Sequence, residues 1–202
     1  MVDNGGFAHD VGFLIERINQ VNPEWNFLGY IDKTQGGNVV GDDDFVVNYK
    51  GDLYAAIAIT NFEIRRSIVA KYSVNRRINY PNLIDSSAII TDEVRLGRGN
   101  IICANSIFTV NITVGNFNII NHACTIGHDD VIGDYVTINP GSNISGNVSI
   151  GSCVNIGTGT QIIQGLSISD EAVIGAGSVV IKDIPYKSTA VGVPARVIKV
   201  RE

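Results

Sequence analysis

The stretch NHACTIGHDD, residues 121–130, sets His122 and His128 six residues apart and follows the second with Asp129 and Asp130. Three chemistries fit these residue types: a metal site, a general base with a partner carboxylate, or a solvated surface. An imidazole titrates near neutral pH, and an adjacent carboxylate favours its protonated form. His128 with Asp129 is thus a pair suited to taking a proton from an attacking hydroxyl or amine. On residue type alone, the reading of His128 as a solvent-facing histidine is favoured. A metal would need a third ligand, and the only other histidine is His9, near the start of the chain; no metal is expected.

What positions these residues is a repeat. An aliphatic or aromatic residue recurs at every sixth position from Ile84 through Ile90, Leu96, Ile102 and Phe108 to Val180, often followed by glycine or another small residue. Period six fits neither a 3.6-residue helix nor an alternating hairpin. It predicts a hexapeptide β-helix, in which short strands form the sides of a triangular prism and three hexads complete a coil. Every eighteenth residue then stacks, so Gly146 lies over His128. Small residues four positions after each aliphatic one, among them Ser106, Cys124, Val136, Val148, Val154 and Ala172, share the interior.

The chain has 202 residues, 45% hydrophobic and 17% charged, with a net charge of -5. That is globular composition, and without a basic cluster larger than NRR at 75–77 it gives no footprint for nucleic acid. No apolar run approaches the roughly 20 residues of a membrane helix, and MVDNGGFAHD is no signal peptide; no membrane insertion and a cytoplasmic location are expected. Cys103, Cys124 and Cys153 are odd in number and form no CxxC, so reduced, buried thiols are expected.

Residues 1–80 read as a separate small α/β domain and 81–202 as the prism with a C-terminal tail, the boundary falling near Pro81. AHDVGFLIERINQV carries Val11, Leu14, Ile15 and Ile18 at helical spacing. NFLGYID and LYAAIAIT read as strands, and NFEIRRSIVAKY as a helix capped by Asn61 with Ile64, Ile68 and Val69 on one face. Such a sheet takes ligands at the carboxyl ends of its strands, grouping NGGFAH, Asp32 and Thr60. GxGxxG is absent, which excludes a nicotinamide or flavin role. GDDDF at 41–45 reads as solvated surface, and EIRR at 63–66 as an exposed helix face.

Taken together, NGGFAHDVGFLIERIN, LGYID, VVGDDDF, AIAITNFEIRRSI, the hexads with NHACTIGHDDVIGDY, and KDIPYKSTAVGVPARVI resemble the bacterial sialic acid O-acetyltransferase type of hexapeptide-repeat sugar acyltransferase. Close relatives of that type N-acetylate nucleotide-linked 4-amino sugars. The resemblance spans nearly the whole chain. It implies a Rossmann-like N-terminal α/β domain that binds the sugar or nucleotide-sugar acceptor, followed by a left-handed parallel β-helix. It also implies a homotrimer with sites between prisms, acetyl-CoA as co-substrate, and a place in bacterial surface glycan synthesis.

Carried over by position, the resemblance makes His128 the general base, Asp129 the carboxylate that raises its basicity, Gly146 the main-chain oxyanion donor and Asn121 a polar active-site residue. Thr137, Gly146, Thr158 and Ala176 would line the coenzyme A groove, with Arg196 of GVPAR meeting a coenzyme phosphate. Gly5, Gly6, Phe7, Asp32 and Thr60 would hold the acceptor, with His122 a wall of the cleft. The chain departs from the pattern in three places. MVDN is too short for the family's apolar first strand, Phe7 replaces a histidine of some amino-sugar members, and Thr137 replaces another near their acetyl group. The alternatives are a γ-carbonic-anhydrase-like metal protein and a non-catalytic sugar-nucleotide-binding scaffold.

Overall fold

A computed structural model describes residues 1–34 and 36–201. From Leu83 onward the chain forms a β-solenoid of the left-handed type with about six turns. Short strands stack in parallel with a register of eighteen, as in Thr125↔Asn143 and Ile119↔Thr137. They make three sheets of five, six and eight strands, the last closed by the antiparallel strand Arg196–Val200. The periodic side chains from Ile102 to Val180 fill the interior, together with Cys124, Val136, Val148, Val154 and Ala172. Each buried aliphatic group contributes about 1.5–3 kcal/mol, and repetition along the axis is what stabilises strands only two or three residues long. Cys103, Cys124 and Cys153 are free and buried, as their spacing implied.

The three sheets meet at three corners, whose turn residues adopt positive φ. Asn105 and Ala123 mark the corner between the eight- and six-stranded sheets. Asn111, Asp129 and Asn147 mark the six-to-five corner, and Phe117, Tyr135 and Cys153 the five-to-eight corner.

Residues 1–80 contribute helices α1 (Gly6–Val21), α2 (Asp43–Asn48) and α3 (Phe62–Tyr72). Their strand pairings are short. Tyr30–Ile31 runs parallel to Val39–Gly41, and Leu53–Tyr54 parallel to Ile78–Asn79. Val2 bridges in parallel to both Ile31 and Ile57, so the stub MVDN occupies the place between them with a single residue. The expected strands NFLGYID and LYAAIAIT are thus trimmed to two-residue strands and bridges. Helix α1 packs Ala8, Val11, Leu14 and Ile15 on Leu83, Ile101 and Ile119, which belong to the eight-stranded sheet.

The surface reading of GDDDF holds for the exposed Asp42 and Asp44 and is refined at Asp43, whereas that of EIRR is corrected at Arg65. In GDDDF, Asp42 caps α2 by accepting from Asp44 N–H, and Asp43 accepts from Lys71 Nζ at 2.7 Å and Tyr72 Oη at 2.6 Å. In EIRR, Ile64 is half exposed whereas Arg65 is 1% exposed. The Arg65 guanidinium donates to the carbonyls of Ile59 at 2.6 Å and Tyr135 at 2.7 Å, and to Thr137 Oγ1. α3 therefore turns a cation inward, because the strand end and the coil beneath it present carbonyls that need donors. Desolvation lowers the Arg65 pKa to about 10. Arg65→Leu would strand those acceptors and is expected to cost on the order of 3 kcal/mol, measured by urea unfolding. Lys at this position should recover only part, since one ammonium cannot span the same set.

Candidate functional site

His128 lies at the six-to-five corner, between the strands Thr125–Ile126 and Val131–Ile132. Its Nδ1 is 2.8 Å from Asp129 Oδ2, and Asp129 also accepts from Asn111 Nδ2 at 2.6 Å. The hydrogen bond with His128, then that from Asn111, lowers the Asp129 pKa. The left-handed backbone at Asp129, φ 63°, folds its carboxylate back beside the ring. With Nδ1–H given to Asp129, Nε2 is the basic nitrogen left to accept a proton.

Gly146 lies directly above. A Cβ built on it would fall 2.4 Å from His128 Nε2, so the ring rests on the bare backbone as the eighteen-residue stacking implied. The Gly146 carbonyl accepts from Gly165 N–H. Among the described residues its own N–H has no acceptor. A proton acceptor and, among the described residues, a free main-chain donor thus share one spot, an arrangement able to take a proton from a nucleophile and to meet a developing oxyanion.

The remaining expected residues stand elsewhere. Asn121 is 8% exposed, and its Oδ1 accepts from His122 N–H. Thr158 and Ala176 are exposed in the eighteen-residue column that begins Ala104, His122, Pro140, at the eight-to-six corner. His122 there borders a cleft of about 280 Å³ with Asp10, Arg17, Asp85 and Asn105. In this cleft Arg17 Nε and Asp85 Oδ2 lie 2.6 Å apart, and that bond holds the Asp85 pKa down at about 2. Arg196 is exposed in the last strand. Thr137 does not line an open groove: it is 1% exposed beneath Arg65, and its Oγ1 donates to the Thr60 carbonyl at 3.1 Å. Arg65 and Thr137 form a buried pair.

The parallel bridges of Val2 to Ile31 and Ile57 put Asp3–Phe7, Asp32 and Thr60 at one edge of the first eighty residues. Gly5 is the N-cap of α1 and Gly6 its first residue, at the positive end of the helix dipole, where an anion is favoured. Asp32 accepts from Thr34 N–H and Oγ1, which lowers its pKa. Phe7 packs with Ala8 and Tyr30. A larger cavity of about 650 Å³, bordered by Trp25, Phe27, Tyr49 and Tyr54, includes none of the residues expected to act.

His9 lies against Tyr30 with the rings tilted by 31°, while His122 and His128 occupy different corners. Among the described residues no cluster of three His, Cys, Asp or Glu could hold a metal ion, and no helix is long and apolar enough to cross a membrane.

No protein-family model and no curated protein matches the chain. Solved structures do. A histidine-to-asparagine variant of perosamine N-acetyltransferase from Caulobacter crescentus, in complex with CoA and GDP-perosamine, is similar with a TM-score of 0.90 and 27% identity, over 98% of this chain and 95% of that one. The acetyltransferase domain of PglB from Neisseria gonorrhoeae FA1090 matches with a TM-score of 0.90 and 27% identity, over 98% and 97%. WeeI from Acinetobacter baumannii AYE matches with a TM-score of 0.86 and 30% identity, over 98% and 97%.

Proposed function

The chain belongs to the hexapeptide-repeat family of sugar acyltransferases, and from that premise we propose that it moves an acetyl group from acetyl-CoA to the amine of a nucleotide-linked amino sugar. The observation that carries this reading is the His128–Asp129 pair resting on the Gly146 main chain. His128 Nε2 takes a proton as the acceptor amine attacks the thioester carbonyl. Gly146 N–H bonds the oxygen of the tetrahedral intermediate, the C–S bond breaks, and coenzyme A leaves as its thiol once protonated by the imidazolium. Neither a metal nor a covalent enzyme intermediate is needed. The solved relatives hold CoA with GDP-perosamine, or acetyl coenzyme A, which supports this choice of donor and acceptor class.

In this reading residues 1–80 form the Rossmann-like acceptor domain, with Gly5, Gly6, Phe7, Asp32 and Thr60 around the nucleotide sugar. Thr158, Ala176 and Arg196 meet coenzyme A, Asn121 and His122 border the cleft, and the protein works in the cytoplasm, where both co-substrates are made. One chain alone does not bring these parts together. The acceptor domain packs on the eight-stranded sheet, and His128 stands at the corner opposite that sheet. A homotrimer answers this, each site taking its base from one copy and its acceptor from the next.

Release of coenzyme A should be measured against a panel of nucleotide-linked 4-amino sugars and free sialic acid. Turnover on the amino sugars supports the proposal; turnover on sialic acid alone would move it to O-acetylation, and coenzyme binding without turnover would favour a scaffold. Shared sites give a second expectation. Co-expressed His128→Ala and Asp32→Arg chains, each inactive alone, should regain activity at about a quarter of their sites by random mixing. Sites contained within one chain would regain none.

A further inference from the structure

The backbone ladder is broken at one place beside His128. In the column of Gly127, the N–H groups of Thr109, Ser145 and Ile163 donate to the carbonyls of Ile126, Ile162 and Val180 one coil on. Gly127 N–H instead turns inward and donates to Asp130 Oδ2 at 3.0 Å, while Asp130 Oδ1 accepts from Val148 N–H at 2.7 Å.

Asp130 is an unusual occupant of this interior. Its neighbours eighteen residues away, Ile112 and Val148, belong to the apolar core, and Asp130 is 0% exposed among them. Among the described residues no Lys or Arg pairs with it. Desolvation raises its pKa to about 7; the two N–H bonds and His128 act against the rise, and Asp129 adds to it. A raised carboxyl pKa means that the folded state holds the proton more tightly than the unfolded chain. The group's contribution to stability is therefore lost as pH rises through about 7. At neutral pH and above, burial works against the carboxylate, and what offsets it is the pair of main-chain N–H bonds that it accepts on either side of His128.

We propose that Asp130 is a positioning residue that, from inside the prism, holds the His128 turn against the Gly146 coil. This rests on the acetyl-transfer reading above. The Gly127 amide immediately precedes His128, and Val148 follows Asn147, whose N–H donates to the His128 carbonyl at 2.7 Å. Two bonds inside and one outside thus set the distance between the imidazole and the Gly146 N–H. The ionised carboxylate accepts from the two amides with its two equivalent oxygens; protonation turns one of them into a hydroxyl, a weaker acceptor.

The test compares Asp130→Val, Asp130→Asn and His128→Ala for kcat, KM, coenzyme A binding by calorimetry, and thermal melting. Asp130→Val leaves the Gly127 and Val148 N–H groups without an acceptor and should melt below wild type, yet stay folded at assay temperature, bind coenzyme A unchanged and lose about 10- to 100-fold in kcat through misplacement of the base. Asp130→Asn keeps one acceptor oxygen. It should fall between the two and show a shallower acid limb of kcat/KM, His128 and Asp129 being the charged groups that face it. Wild-type kcat in Asp130→Val, or a loss that only tracks lost folded protein and lost coenzyme binding, overturns the proposal. An inactive His128→Ala beside a fully active Asp130→Val rejects the Asp130 role alone; an active His128→Ala sinks the base reading and this proposal with it.

Discussion

Replacing His128 by Ala is expected to lower kcat by about 10²- to 10⁴-fold, the range of general acid–base catalysis, with acetyl-CoA affinity unchanged by calorimetry. The side chain is 63% exposed and, among the described residues, bonds only its neighbour Asp129, so removing it leaves the interior intact. In the proposed mechanism it is Nε2, beside Gly146, that takes the acceptor proton. Asp129→Asn should lose less, since an amide still accepts from Nδ1–H and orients the ring while no longer favouring the imidazolium by charge. Wild-type turnover in His128→Ala would end the assignment of this residue as the base.

Gly146→Ala should be nearly as damaging for a different reason. The new methyl carbon would sit 2.4 Å from His128 Nε2, so the ring must swing out of its place. It would also screen the Gly146 N–H from the thioester oxygen. Loss of one oxyanion donor costs about 10²- to 10³-fold, and displacement of the base adds to that. Stability should change little, because the atoms met belong to an exposed side chain and the Gly146 backbone is not in the left-handed region. Adding His128→Ala to Gly146→Ala should cost less than the two losses multiplied, since both act on the same base. Steady-state kinetics of the two single variants and the double variant would read this. Fully multiplicative losses would mean that the two groups act independently.

The amino-acid sequence by itself determined the solenoid and its interior. A residue every six positions leaves one arrangement in which all of them are buried, and stacking by eighteen follows from three hexads per coil. Gly146 over His128 was legible for the same reason, because in a one-dimensional stack sequence separation is spatial position. The cap at Asn61, which accepts from Ile64 N–H at 2.9 Å, was legible because capping is a local bond.

Only the tertiary structure decided what depends on the contact between the two parts of the chain. Arg65 reads as surface beside Glu63 and Arg66, and Thr137 as a groove residue, until α3 lands on the coil and each satisfies the other. The same holds for Asp43, whose partners Lys71 and Tyr72 lie on another helix. Nothing in the spacing set Asp130 apart from Asp129, yet the coil turns Asp129 outward and Asp130 into the core. The packing of helix α1 on the eight-stranded sheet, away from the corner of His128, is likewise decided only in the fold. Period and spacing act along the chain, whereas the partners of a buried charge are set by surfaces that meet only when the chain folds.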